Sequence, residues 1–174
     1  VKDKPVTENG PIELPGLSPE KVVSSEIGYK GLFLGKKLFL DSYAYYNKYK
    51  GFEAVQLVAQ LAADAGTEKD QLFQTYFTTD QPVSSFGWAL SLDYMTPVGI
   101  LIKSNVAFNR LLEGIDAPGV EARFNSPEYR ANLSVGHHAI IPNLGFNLNF
   151  HWQNSFLWES AFGAGQIPAY STLD

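Results

Sequence analysis

Cysteine is absent from this chain, which excludes a disulfide-stapled scaffold, a thiolate zinc centre and a cysteine nucleophile. Charge is scarce: Asp, Glu, Lys and Arg make up 18% of the 174 residues, against about 25% in ordinary soluble domains. With a formal net charge of -5 and no basic run beyond Lys36-Lys37, no face can neutralise a phosphate backbone, so nucleic acid is excluded as a partner. No apolar run approaches about 18 residues, which rules out a transmembrane helix, and residues 1–10 hold no signal-peptide core. Barrel strands pass that test unseen, because they need only about 9–11 residues that alternate in polarity.

What the chain does have is aromatic side chains, 14% of its residues within a hydrophobic content of 45%. They fall into a pattern. Phe86, Trp88, Leu90, Leu92 and Tyr94 alternate with Gly87, Ala89, Ser91 and Asp93, which describes a strand with one bulky apolar face and one small polar face. The same alternation returns in Ile100, Ile102, Ser104, Val106 and Phe108 against Lys103, Asn105, Ala107 and Asn109. It returns again in Tyr129, Ala131, Leu133 and Val135 against Arg130, Asn132, Ser134 and Gly136. It is cleanest in Phe146, Leu148, Phe150 and Trp152 against Asn147, Asn149, His151 and Gln153.

Together with Ile27, Tyr29 and Phe33, and a return strand through Leu38, Leu40, Ser42, Ala44 and Tyr46 with Asp41 and Asn47 opposite, this predicts three antiparallel hairpins. Short turns fall at Gly35-Lys36-Lys37, around Pro97 and around Pro142. Long connections fall at 48–83, 111–128 and 154–170, and residues 1–24, rich in Pro and Gly, form a loop entering the first strand. Within 48–83, residues 53–63 (Glu-Ala-Val-Gln-Leu-Val-Ala-Gln-Leu-Ala-Ala) carry helical propensity, with Val55, Val58, Ala59 and Ala62 on one side and Gly66 as a stop, and predict a short helix. Ser171 to Asp174 read as the start of another strand.

Alternation also occurs in soluble sandwiches, where the polar face is rich in Lys, Glu, Thr and Arg. Here it is Asn, Ser, Gly, Asp, His and Gln, which suits a crowded polar interior. The fold class expected is therefore all-β, an antiparallel transmembrane β-barrel segment of about six strands. Its lipid-facing set is Trp88, Leu90, Leu92, Ile100, Ile102, Val106, Leu133, Phe146, Leu148 and Phe150. Tyr94, Phe108, Tyr129 and Trp152 lie at the interfaces, and Asp41, Asp93, Lys103, Asn105, Arg130, Asn132, Asn147 and Asn149 face a lumen. A soluble all-β binding module, carbohydrate-binding through exposed rings, is the alternative.

The stretches Ser25-Glu26-Ile27-Gly28-Tyr29-Lys30-Gly31, Lys37-Leu38-Phe39-Leu40-Asp41 and Tyr45-Tyr46-Asn47-Lys48-Tyr49-Lys50-Gly51-Phe52 resemble the late barrel of TonB-dependent outer-membrane receptors. Phe124-Asn125-Ser126-Pro127-Glu128-Tyr129-Arg130-Ala131-Asn132 and Trp152 through Trp158 to Asp174 are similar to Bacteroidetes-type members. The resemblance implies part of a barrel of about 22 strands with a plugged lumen. It also implies a Gram-negative outer-membrane location, and partners comprising the lipid bilayer, the rest of the barrel and its plug, the TonB system and a nutrient ligand. A plug, a TonB box and a closing strand are not seen, so the chain reads as a late barrel segment lacking its final strands.

No catalytic constellation or cofactor motif is present, and no enzyme activity is expected. Gly163-Ala-Gly165 lacks the residues of a phosphate loop. His137, His138 and His151 have no metal spacing with carboxylates, and neighbouring His137 and His138 point to opposite faces. Tyr76, Phe77, Phe156 and Trp158, in the long loops, are the candidate ligand contacts.

Overall fold

The computed structural model describes residues 6–7, 10–11, 17–60, 71–114, 120–121, 124–160 and 163–174. Its strands are β1 (Val6–Thr7), β2 (Gly10–Pro11), β3 (Lys21–Phe33), β4 (Leu38–Lys50), β5 (Phe52–Gln60), β6 (Gln71–Thr79) and β7 (Val83–Met95). They continue with β8 (Ile100–Glu113), β9 (Val120–Glu121), β10 (Tyr129–Ile141), β11 (Leu144–Gln153), β12 (Phe156–Ser160), β13 (Gly163–Ile167) and β14 (Tyr170–Leu173). Among the described residues there is no helix.

One seven-stranded sheet in the order β14-β11-β10-β8-β7-β4-β3 carries the fold. Every pairing in it is antiparallel. It is a meander whose connections alternate between tight turns and long excursions, as the sequence predicts. The excursions hold secondary structure of their own: β5 and β6 pair with β9 in a three-stranded sheet, and β12 pairs with β13.

That corrects two readings. Residues 53–60 are strand, not helix: β5 runs alongside β6 from Phe52↔Thr79 to Gln60↔Gln71, and β-branched Val55 and Val58 suit that ladder. Residues 61–63 of the expected helix, with Gly66, lie outside the described residues. The first main strand also starts earlier than expected, at Lys21, inside the 1–24 loop.

The tight turns follow local chemistry. In the β7–β8 turn Gly99 adopts φ 85, a left-handed conformation that glycine takes without steric cost, and its N–H donates to Thr96 O at 3.1 Å. The Thr96 hydroxyl accepts the Ile100 N–H at 2.9 Å. His137 locks this turn from β10. Its Nδ1 accepts the Ala139 N–H at 3.1 Å, so Nε2 carries the proton and donates to Val98 O at 2.9 Å. Replacing His137 with Ala is expected to cost about 0.5–1.5 kcal/mol per lost hydrogen bond. Faster amide hydrogen exchange at Ala139 would register it, and unchanged exchange there would refute the lock.

The core is where a soluble reading fails. A chain of this length folding alone in water buries about two-thirds of its surface around an apolar centre. Among the described residues the buried hydrophobics are Ala54, Val83 and Ala89. The large apolar side chains lie outside instead, with Ile27 77% exposed and Leu148 52% exposed. The seven-stranded sheet thus presents a broad uncovered apolar face, far beyond the scattered exposed residues normal on soluble proteins.

Candidate functional site

Register determines which side chains share a face. Directly opposed residues in a ladder point the same way, and neighbours along a strand point oppositely. On the apolar face Trp88 is opposite Phe108 and Phe108 opposite Tyr129, with ring centroids 6.2 and 4.7 Å apart. Phe86 joins them, 6.3 Å from Phe108. This belt lies toward the long-connection end. Trp152, opposite Ala131, is one row further in, and Tyr94, opposite Leu38 and Ile102, marks the tight-turn end. Leu90, Leu92, Ile100, Ile102, Val106, Leu133, Phe146, Leu148 and Phe150 fall on the same face.

The other face is built as polar rows across the sheet. One row crosses all seven strands: Lys30, Asp41, Ser91, Asn105, Asn132, His151 and Thr172 stand opposite one another in turn. Its members satisfy each other laterally. Lys30 pairs with Asp41 at 3.1 Å, Asn105 Nδ2 donates to Ser91 Oγ at 2.8 Å, and the His151 ring is hydrogen-bonded to Asn132. In the next row toward the tight turns Asp93 faces Lys103 at 3.9 Å. Ser134 and Asn149 continue that row, and both bond Asn147 of the row beyond: Ser134 Oγ donates to Asn147 Oδ1 at 3.0 Å, and Asn147 Nδ2 donates to Asn149 at 3.2 Å.

A concavity of about 440 Å³ opens over this carpet, lined by Ser91, Asp93, Lys103, Asn105, Asn132 and His151 among others. Asn and Ser are the commonest residues lining it, beside apolar surface that includes Leu133 and Phe150 and one loose, half-exposed ion pair. Such a surface exchanges hydrogen bonds with water, polar solutes or peptide groups at little cost, and holds none of them by charge.

Of the eight polar residues picked from sequence, Asp93, Lys103, Asn105, Asn132 and Asn149 line the concavity. Asn147 is hydrogen-bonded at its rim. Asp41 is engaged one strand away by Lys30, a partner the sequence reading missed. Arg130 stands opposite Ala107 and Gln153 without a carboxylate partner among the described residues.

Also missed was the tyrosine wall of β4. Tyr43 and Tyr45 stack on this face with centroids 6.3 Å apart. The Tyr45 ring lies across Gly87, so that its hydroxyl donates to Asn109 Oδ1 at 3.1 Å on the strand beyond. Their odd spacing along β4, opposite Ala44 and Tyr46, was the available signal.

The four ring residues assigned to loops sit on paired strands. Tyr76 and Phe77 are on β6, and Phe156 and Trp158 on β12, where Trp158 opposes Gly165. They belong to two separate sheets.

Residues 5–174 match the family described as TonB dependent receptor-like, beta-barrel. The chain belongs to that family. Its sheet is accordingly a stretch of antiparallel transmembrane barrel wall, not a soluble sandwich, and the family is one of receptors rather than enzymes. In fold it is similar to the siderophore receptor PirA from Acinetobacter baumannii, with a TM-score of 0.61 at 17% identity over 90% of this chain. The chain spans 25% of the length of that receptor. No curated protein matches it.

Proposed function

We propose that this wall belongs to an outer-membrane transporter that takes up a scarce nutrient, with energy coupled through TonB and the lumen closed by a plug. The apolar face meets lipid, the polar rows face the lumen, the tight turns are periplasmic and the long hairpins extracellular. One observation carries this reading: a single sheet whose apolar face is uncovered while its other face satisfies its polar groups row by row. Family membership and the fold of the siderophore receptor support it, and favour a metal chelate among the nutrient classes, which include vitamins and glycan fragments. Tyr76, Phe77, Phe156 and Trp158 on the extracellular hairpins are the proposed first contacts with the nutrient. No bond is made or broken.

The test uses the absence of native cysteine in this chain. In the complete receptor reconstituted in vesicles, Asn149→Cys is expected to react with a hydrophilic maleimide. Adjacent Leu148→Cys, on the opposite face, is expected to react at least tenfold more slowly. Equal labelling of the two would overturn the assignment of the faces.

A further inference from the structure

We propose that Lys21, Lys48 and Lys50 form a binding site for the phosphate-bearing head group of a membrane lipid, on the outside of the wall just above its aromatic belt. The proposal rests on the lipid-facing reading of the apolar face.

Register places Lys21 directly opposite Lys50, and Val23 opposite Lys48. Alternation puts all three lysines on the face that carries Ile27 and Tyr46. Like charges directly opposed across an antiparallel pair repel and destabilise it, and a third ammonium two residues along adds to the repulsion. A strand pair gains nothing from that arrangement unless an anion joins it.

None of the three makes an ion pair among the described residues. All are exposed, and the ion pairs among the described residues are Lys30–Asp41, Lys103–Asp93 and Arg110–Glu128. Two carboxylates near this end already accept hydrogen bonds from neutral groups: Glu113 accepts the Ser84 hydroxyl at 2.9 Å, and Glu20 accepts the Glu53 N–H at 3.4 Å.

Height selects the ligand. From Tyr94 to Phe86 the strand advances about 27 Å at about 3.4 Å per residue, or roughly 21 Å of height at a tilt of about 40°, close to the apolar band of a barrel. Tyr46 stands opposite Phe86 at the top of that band. Lys48 and Lys50 follow two and four residues later, roughly 5 and 10 Å higher, at head-group depth. Their alkyl stems lie along apolar surface while the ammonium groups reach the polar layer. Val23, beside Lys48, and Ile27, below it on the same face, are 68% and 77% exposed and offer apolar contact to a lipid's acyl chains. A free phosphate would use only the ammonium groups; a lipid uses both.

The complete receptor, purified in detergent, would be titrated by native mass spectrometry with phosphatidic acid, with diacylglycerol as the phosphate-free probe and inorganic phosphate as the chain-free one. Phosphatidic acid is expected to bind, the Lys21→Gln/Lys48→Gln/Lys50→Gln variant to bind it at least tenfold more weakly, and the corresponding triple Arg variant to retain it. Equal binding of diacylglycerol, competition by inorganic phosphate at matching affinity, or an unaffected triple Gln variant would overturn the site. If the labelling contrast between Leu148→Cys and Asn149→Cys holds while the Gln variant binds normally, the lysine site falls alone. If that contrast fails, the wall reading falls with it.

Discussion

Leu90→Arg is expected to destabilise the receptor in a bilayer by about 2–4 kcal/mol, whereas Ser91→Arg, one residue along, stays within about 1 kcal/mol. Leu90 stands midway between Phe86 and Tyr94, in the row of Ser42 and Val106. By the proposed orientation that is the hydrocarbon midplane, where a guanidinium finds neither water nor a counter-charge. Ser91 points the other way, and its neighbours across the ladder are Asp41 and Asn105, so a cation there meets a carboxylate and polar surroundings. Both substitutions place the same side chain and charge on the same strand one residue apart, on opposite faces, and the hydrogen bond from Asn105 that Ser91→Arg gives up falls within the smaller loss expected there. Denaturant titration of the receptor folded into vesicles would read the difference. Similar losses at the two positions would show that the faces are not lipid and lumen.

Much of this was legible because a barrel wall writes itself locally. Each strand's alternation is complete within a few residues, and each tight turn contains Gly, Pro or Asn, even though Leu34 and Lys36 also take positive φ in the β3–β4 turn, so β3, β4, β7, β8, β10, β11 and the start of β14 follow from short windows. The long excursions do not obey that grammar. In residues 53–63 Ala, Leu, Gln and Glu favour a helix intrinsically, and strand β5 is decided by its partner β6, beyond residues 61–70 in the chain. Propensity is a weak prior against a ladder of that length. Likewise β12 and β13 are short, and their glycines read as loop until Phe156 is set opposite Ile167 and Trp158 opposite Gly165.

The polar face was legible as a composition and not as an arrangement. Asn105, Asn132 and Asp41 announce themselves by residue type, but that they share one row with Lys30 and His151 depends on the register across seven strands. A one-residue slip in any pairing would send part of that row to the opposite face. The sequence shows Gly87 only as a small residue on the polar face. In the fold the space beside it is taken, because Tyr45 reaches over it.

That contact yields the second large effect. Gly87→Val is expected to cost about 1–3 kcal/mol, because a Cβ there overlaps the Tyr45 ring and forces it off Asn109 or off its rotamer. Valine would otherwise favour the strand, since replacing Gly inside β7 gains up to about 1 kcal/mol of β propensity. The sign of the change therefore depends on Tyr45. Tyr45→Ala alone gives up the Asn109 hydrogen bond and the stack on Tyr43, and it leaves a groove over Gly87. With both changes made, the valine side chain occupies that groove, and the pair should be more stable than the sum of the single losses by about 0.5–3 kcal/mol. Tyr45→Phe separates the two contributions, keeping the ring over Gly87 while removing a hydroxyl worth about 1 kcal/mol. In that background Gly87→Val must remain destabilising. The five variants and their wild type, unfolded in vesicles by denaturant, form the two required cycles. Strict additivity would mean that Tyr45 does not occupy Gly87's space in the membrane, and that the small face of β7 is open to the lumen after all.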